Sequence, residues 1–82
     1  MSRNEPTELL VAVHHNPPES KAALVSIDGE NSNAKWIPKS LIESIDLTGK
    51  TTKGTDRGGY KVTLPLANLV IPEWLAQREG LI

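Results

Sequence analysis

The sequence predicts a mainly β protein, in which five short antiparallel strands form a small barrel or curled sheet capped by a short C-terminal helix. Short runs rich in valine, leucine and isoleucine alternate with clusters of proline, glycine and asparagine, a pattern typical of strands joined by turns. These runs are too short to favour helices. Only the segment after Pro72 combines helix-forming residues with helix start and stop signals. A split α+β sheet is the competing architecture.

A chain of 82 residues is long enough for one domain, and it buries only about 60% of the surface that its unfolded form exposes. Its hydrophobic core is therefore small. The first six residues are polar, and we expect residues 1–6 to be loose. Residues 7–82 are predicted to form a single β-rich domain.

The first two strands are predicted on either side of a proline-rich break. Residues 7–15 form the first apolar run, and the pair Pro17 and Pro18 ends it, since proline cannot donate to a strand ladder. Residues 21–27 form the second strand. The dipeptide Asp28-Gly29 then begins a turn.

The remaining strands are predicted from shorter alternating runs. Residues 34–37, 42–47 and 60–64 are the third, fourth and fifth strands, and the third and fifth are each followed by a proline. Residues 48–59 contain glycine, threonine and charged residues without an apolar anchor. A segment of this kind predicts a long loop, and such loops are often functional.

The final segment is predicted to be a short helix. Pro72 suits the first helical position, Glu73 complements the helix dipole, and Gly80 is a common terminator. Leu81 and Ile82 are expected to fold back as a hydrophobic cap. Five strands and one capping helix together indicate an SH3- or OB-like architecture.

The two tryptophans lie next to the two Ile-Pro pairs of the chain, as Trp36 and Trp74. One interpretation makes them a stacking platform or anchors for a partner. The other places them in the core, since a buried tryptophan removes about 150–250 Å² from water and the chain has no phenylalanine. We expect both rings to be mainly core residues, with Trp74 also a candidate contact because it lies near the chain end.

The sequence contains no pattern that indicates catalysis or a cofactor. It has no cysteine, and therefore neither a disulfide nor a thiolate zinc site. His14 and His15 are adjacent, and neighbours on a strand point to opposite faces, so we expect no metal site. The carboxylates show no spacing typical of an acid–base pair. We expect a protein that is not an enzyme and needs no cofactor.

A cluster of positive charge provides the candidate binding surface, although the chain has a net charge of −1. The candidate partner-binding residues are Lys50, Lys53, Arg57, Lys61, Tyr60 and Trp74. The basic residues suit contacts with phosphates or with an acidic protein surface. A solvated hairpin tip, whose lysines discourage strand pairing, is an equally good interpretation. Overall neutrality argues against binding to nucleic acid by bulk charge.

Three segments resemble motifs of small accessory proteins and terminal modules encoded by bacteriophages and prophages. These are a K-A-x-L-V strand from Lys21, W-I-P-x-S-x-I from Trp36 and P-E-W-L-A-x-x-x-G-L-I from Pro72. The resemblance covers residues 21–82, and residues 48–59 depart from the compact pattern. It implies an accessory role in phage–host interaction or phage DNA handling, and it supplies no catalytic residue.

These observations lead to two main functional expectations. The first is a non-enzymatic phage-type protein that binds and modulates a host or phage protein, for example as an inhibitor of a nuclease or a CRISPR–Cas complex. The alternative is a module that binds single-stranded DNA in phage DNA metabolism. A structural or oligomerisation module, including a homodimer, is a third option. No apolar run resembles a signal peptide or membrane span, so the expected location is the bacterial cytoplasm.

Overall fold

A computed structural model describes residues 5–82 and confirms the mainly β fold with a short C-terminal helix. Five antiparallel strands form one sheet in the order β3-β2-β1-β5-β4, which is curled but not closed into a barrel. The elements are β1 (Pro6–His15), β2 (Ala22–Ser26), β3 (Lys35–Pro38), β4 (Ser44–Thr55), β5 (Lys61–Pro72) and α1 (Glu73–Arg78). Short 3₁₀ turns lie at Asn31–Asn33 and Lys39–Leu41.

The first strand begins one residue earlier than predicted. Pro6 pairs with Pro72, and the carbonyl of Glu5 accepts a hydrogen bond from the Glu73 amide at 2.9 Å. Residues 5 and 6, which were predicted to be loose, are therefore bound to the sheet. The rest of the predicted loose segment, residues 1–4, lies outside the described residues. In the part of the chain that the structure describes, no helix is both long and apolar enough to cross a membrane.

The largest difference from the sequence prediction is that residues 48–59 do not form a long loop. β4 continues to Thr55 through a bulge, in which residues 48–50 lie opposite a single residue, Leu66. The hydroxyl of Thr48 donates to the Leu66 carbonyl and accepts from the Lys50 amide, both at 3.1 Å. Gly49 has φ +82°, which favours glycine. The polar run is thus a bent strand, and the turn is only five residues long.

Pro65 does not end β5 as predicted, because both neighbouring ladders are already irregular around it. β1 pairs with β5 only as far as Leu66, and the β4 bulge lies directly beside that residue. Proline has no backbone N–H to donate, but at this position the regular pairing is already interrupted on both sides, so the strand can continue. β5 continues to Pro72 and reaches the helix.

The main core lies on one face of the sheet and is almost entirely aliphatic. Residues that face each other across the strands are Val11 and Ala67, Val13 and Val25, Ala23 and Ile37, and Leu9 and Leu69. Helix α1 packs against this cluster through Leu75 and Ala76. The chain then turns at Gly80, which has φ +73°, and returns Leu81 to the core. Ile82 stays exposed, so only the first part of the predicted cap forms.

The prediction that Trp36 belongs to the core is wrong. Ile37 is fully buried, whereas its neighbour Trp36 is 53% exposed. Alternation along a strand sends only one of two adjacent residues to the core face, and aliphatic side chains fill that core. Trp74 is half-buried and packs against the core cluster, with the Arg78 guanidinium carbon 5.1 Å from its ring centre.

The sheet curls because the loop after β2 contacts the far end of β4. The Thr55 amide donates to the Gly29 carbonyl at 3.0 Å, and the Asn31 amide donates to the Thr55 hydroxyl at 3.0 Å. A Cβ atom added to Gly54 would overlap the Gly29 carbonyl oxygen and lie 2.7 Å from Leu64 Cδ1. Glycine at position 54 therefore permits a direct backbone-to-backbone approach.

We predict that Gly54→Ala destabilises the protein by roughly 1–3 kcal/mol, since overpacking at a close contact costs about that much. Urea unfolding followed by tryptophan fluorescence measures the effect. Thr51→Ala, at an exposed position of the same strand, is the control and should change stability by no more than about 0.5 kcal/mol. Equal stability of the two variants would show that residues 29 and 54 are not in contact.

The adjacent pair at positions 36 and 37 provides a second prediction. Ile37→Ala should lower the free energy of unfolding by about 2–5 kcal/mol, because it removes a fully buried side chain. Trp36→Ala should cost less than half as much, since its ring faces outward. Circular dichroism during thermal unfolding compares the two variants. A larger loss for Trp36→Ala would place the indole in the core.

Candidate binding groove

An open groove of about 590 Å³ lies between β3 and the turn that joins β4 to β5, and we call it the Trp36 groove. Its lining residues come from β1, β2, β3 and β5, from the loop after β2 and from the turn after β4. They are His14, His15, Leu24, Asn31, Ala34, Trp36, Asp56, Arg57 and Leu64. The groove therefore has an apolar wall on β1–β3 and a charged wall on the turn.

The apolar wall consists of one side chain from each of three neighbouring strands. Leu24 on β2 is in register with Trp36 on β3 and with His15 on β1. The rings of His15 and Trp36 meet edge to face, with centroids 5.8 Å apart and planes at 76°. Edge-to-face contacts of this kind stabilise the ring orientation. Trp36 is thus held in place although half of its surface is open to solvent.

A bulge in β1 explains why both adjacent histidines reach this groove. Val13 pairs with Val25, and the next pair is His15 with Leu24, so His14 is the extra residue. The sequence prediction assumed regular alternation, which would send the two rings to opposite faces. The bulge removes that alternation and lets both rings line the groove. Among residues 5–82, no three potential metal ligands converge.

His14 supports the groove from beneath through the buried Ser26. Its Nε2 atom lies 2.7 Å from the Ser26 hydroxyl oxygen, which also accepts the Gly29 amide at 2.9 Å. Its Nδ1 atom is buried without a hydrogen-bond partner among the described residues. Burial lowers the pKa of His14, and the negative charge of Asp28 partly opposes this shift. Burial therefore favours the neutral form of His14, and its contact with Ser26 helps to fix the loop after β2.

The charged wall is a tightly hydrogen-bonded turn. One carboxylate oxygen of Asp56 accepts the amides of Gly58 at 2.9 Å and Tyr60 at 3.0 Å. The Asp56 amide donates to the Tyr60 carbonyl, and the Gly59 amide donates to the Asp56 carbonyl. This arrangement holds Arg57 at the apex beside the groove. Within residues 5–82, Arg57 makes no ion pair, since only Arg78 and Glu79 form one.

The loop that approaches this turn is ordered by the same type of interaction. The carboxylate of Asp28 accepts the Glu30 amide at 2.9 Å and the Asn33 side-chain amide at 2.8 Å. These hydrogen bonds lower the pKa of Asp28, because they favour its charged form. Both sides of the groove are therefore held by carboxylates that cap backbone amides.

Five of the six sequence-predicted binding residues lie along one hairpin. Lys50 lies in the β4 bulge, Arg57 and Tyr60 lie at the turn, and Lys53 and Lys61 lie on paired segments of β4 and β5. All five are exposed. Trp74 does not join them, because the 12 residues of β5, each rising about 3.3 Å, separate the helix from the turn.

Sequence reasoning missed the apolar wall of the groove. Trp36, His15 and Leu24 form that wall, yet none was a predicted site residue. The available signal was the alternation of Trp36 with Ile37, which requires one of the two to face away from the core. The bulge at His14 gives no comparable signal in the sequence.

The lowered pKa of His14 predicts that stability falls as the pH is reduced from about 7.5 to about 5. An unfolded histidine, with a pKa of 6.5, binds a proton more readily than folded His14. The free energy of unfolding therefore begins to fall as the pH drops below 6.5. It continues to fall until the pH has passed the lower pKa of His14 in the folded protein. Urea unfolding at the two pH values measures this change. At pH 5 and above, protonation of Asp28 does not contribute to the change, because the pKa of that carboxyl group lies below 3.8.

His14→Gln should remove part of this pH dependence, because glutamine does not titrate and retains hydrogen-bonding groups for Ser26. His15→Gln is the matched control and should retain the contribution of His14. If His14→Gln had the same pH dependence of stability as the unaltered protein, the pH dependence would not arise from His14.

Comparison with known proteins adds no relative from which a function could be transferred. Searches against protein-family models, curated proteins and solved structures find no match to this chain.

Proposed function

We propose that this protein is a non-enzymatic binding module that docks on another protein through the Trp36 groove and modulates it. The observation that carries the proposal is the position of Trp36, which is 53% exposed on the wall of an open groove. Tryptophan is enriched among residues that dominate binding energies at interfaces. The ring of Trp36 lies outside the core and beside other apolar side chains, so it is suited to be an anchor for a partner protein.

The rigidity of the strand beneath Trp36 supports this proposal. β3 ends at Pro38, and the following residue, Lys39, is bound through its backbone amide to the Lys21 carbonyl at 2.9 Å. The Lys39 ammonium group also donates to the Pro17 carbonyl at 2.6 Å. A prearranged anchor loses little conformational freedom when a partner binds. Binding energy from Trp36 is therefore not offset by a large ordering cost.

The roles of the ionisable groups favour binding over acid–base catalysis. Asp56 is the carboxylate that lines the groove, and it caps two backbone amides of the turn. His14 is engaged with Ser26, and His15 packs its ring against Trp36. These groups act as structural supports of the groove walls.

The resemblance to phage-encoded accessory proteins, which implies an accessory role in phage–host interaction, supports a host or phage protein as the partner. A small rigid domain can act by occupying a surface of its target. Inhibition of a host nuclease or a CRISPR–Cas complex in the bacterial cytoplasm is the concrete form of this proposal. An interface of about 800 Å² on each partner would suffice for stable association.

A single-stranded DNA-binding module is the second candidate. The specific observation that favours it is that the partly exposed Trp36 lines the same groove as Arg57. Arg57 belongs to a hairpin that also carries Lys53 and Lys61. Aromatic stacking combined with cations is the common mode of single-strand binding. The net charge of −1 opposes this function, so protein binding remains the first proposal.

The protein-binding proposal predicts that a bacterial partner co-purifies with the tagged protein at low micromolar concentration and is lost with Trp36→Ala. We expect affinity to fall by at least tenfold, because truncating an aromatic anchor typically costs about 2 kcal/mol or more. Leu10→Ala, at an exposed position on β1 outside the groove, is the control and should retain the partner.

If Trp36→Ala retained the partner as well as the unaltered protein does, the proposed docking site would be wrong. Labelled single-stranded DNA, titrated at two salt concentrations, tests the second candidate. Salt-dependent binding that is lost when Lys50, Lys53 and Arg57 are replaced by alanine would favour DNA over protein.

A further inference from the structure

We infer that the Trp36 groove recognises an extended acidic segment of the partner, with one carboxylate on Arg57 and a nearby apolar side chain against Trp36. This inference rests on the proposed function and specifies its ligand. It follows from three features of the groove: the charge of one wall, the apolar character of the other, and the edge strand at its border.

The first feature is the charge of the hairpin. Residues 50–61 contain four basic residues and one acidic residue, a net charge of +3, in a chain whose total is −1. The basic residues are Lys50, Lys53, Arg57 and Lys61. Within residues 5–82 none of the four forms an ion pair. The net positive charge of the hairpin favours a partner surface of the opposite sign.

Arg57 is the cation that lines the groove itself. Its planar guanidinium can form two parallel hydrogen bonds with a carboxylate, which a lysine cannot do. The hydrogen bonds between Asp56 and the amides of Gly58 and Tyr60 order the turn that carries it. Oδ1 of Asp56 is thus engaged by two backbone amides, and Arg57 forms no ion pair among residues 5–82.

The second feature is the apolar wall of His15, Leu24 and Trp36, which shares the groove with the apolar side chains of Ala34 and Leu64. It lies in the same groove as Arg57, so one ligand segment must satisfy both surfaces. A segment with only acidic residues would leave the indole in water, and a purely apolar one would cover the guanidinium without a partner, which is costly. The groove therefore selects an acidic residue close to a large apolar one.

The third feature is β3, which is an edge strand of the sheet. Its outer side is not paired with another strand among the described residues, and it carries Trp36. An extended peptide can lie along such an edge and place alternate side chains into a pocket. The groove volume of about 590 Å³ lies within the range of sites that enclose a ligand. An extended segment fits these features better than a folded surface.

A peptide-display library of random 12-residue sequences, selected on the purified full chain, tests the inference. The enriched peptides should contain aspartate or glutamate within about three residues of a large apolar side chain. Synthetic versions of these peptides are then measured by fluorescence anisotropy. We expect Trp36→Ala and Arg57→Glu each to weaken binding at least tenfold. Arg57→Gln should give a smaller loss.

Two controls separate recognition from general charge. Lys50→Glu makes the same charge change outside the groove and should weaken binding less than Arg57→Glu. Replacing the acidic residue of a peptide with lysine should abolish its binding to the unaltered protein and restore binding to Arg57→Glu. Thermal unfolding verifies that each variant is folded.

The outcomes distinguish this inference from the proposed function. Enriched peptides that are neutral or basic, yet still depend on Trp36, would overturn the acidic ligand and leave the docking site intact. Binding that Arg57→Glu leaves unchanged would also overturn the inference. Absence of both peptide enrichment and a co-purified partner would overturn the proposed function as well. Single-stranded DNA that binds the groove while no acidic peptide does would assign the site to nucleic acid.

Discussion

The backbone contact between the loop after β2 and the end of β4 determines the form of this molecule. Gly29 and Gly54 approach so closely that neither position has room for a side chain, and the Thr55 amide bonds to the Gly29 carbonyl. The contact curls the sheet and brings the turn at Arg57 towards Trp36. Without it, the two walls of the groove would lie far apart. The buried Ser26, held by His14, fixes the Gly29 amide and so supports the same contact.

Two bulges adapt the regular sheet to this shape. The bulge at His14 in β1 places His15 opposite Leu24, where its ring can contact Trp36. The bulge at residues 48–50 of β4 bends the long hairpin, and bends of this kind increase local twist. Both bulges lie where the sheet bends. The groove therefore results from these two bulges together with the long-range contact between Gly29 and Gly54.

Much of the fold could be predicted from the sequence because strand alternation, proline breaks and helix signals are local. The strands at residues 7–15 and 21–27 and the helix after Pro72 follow from such signals. The continuation of β4 through residues 48–50 could not be predicted, since a polar bulge and a polar loop have the same composition. The approach of Gly29 to Gly54 joins residues distant in sequence, which local patterns do not encode. The candidate site was accordingly predicted only on its charged side.

The contrast between Trp36 and Ile37 shows how a very small domain can fill its core and still leave a large aromatic ring exposed. The core is filled by aliphatic side chains that pack across the sheet and under the helix, so the indole of Trp36 is not needed there. Strand geometry then requires that the neighbour of a buried residue face outward. Under the proposed function, stability and recognition depend on adjacent residues whose side chains lie on opposite faces. Substitutions on the groove wall would then alter binding while the aliphatic core remains intact, whereas substitutions at Gly54 would affect both, because the contact between Gly54 and Gly29 holds the two walls together.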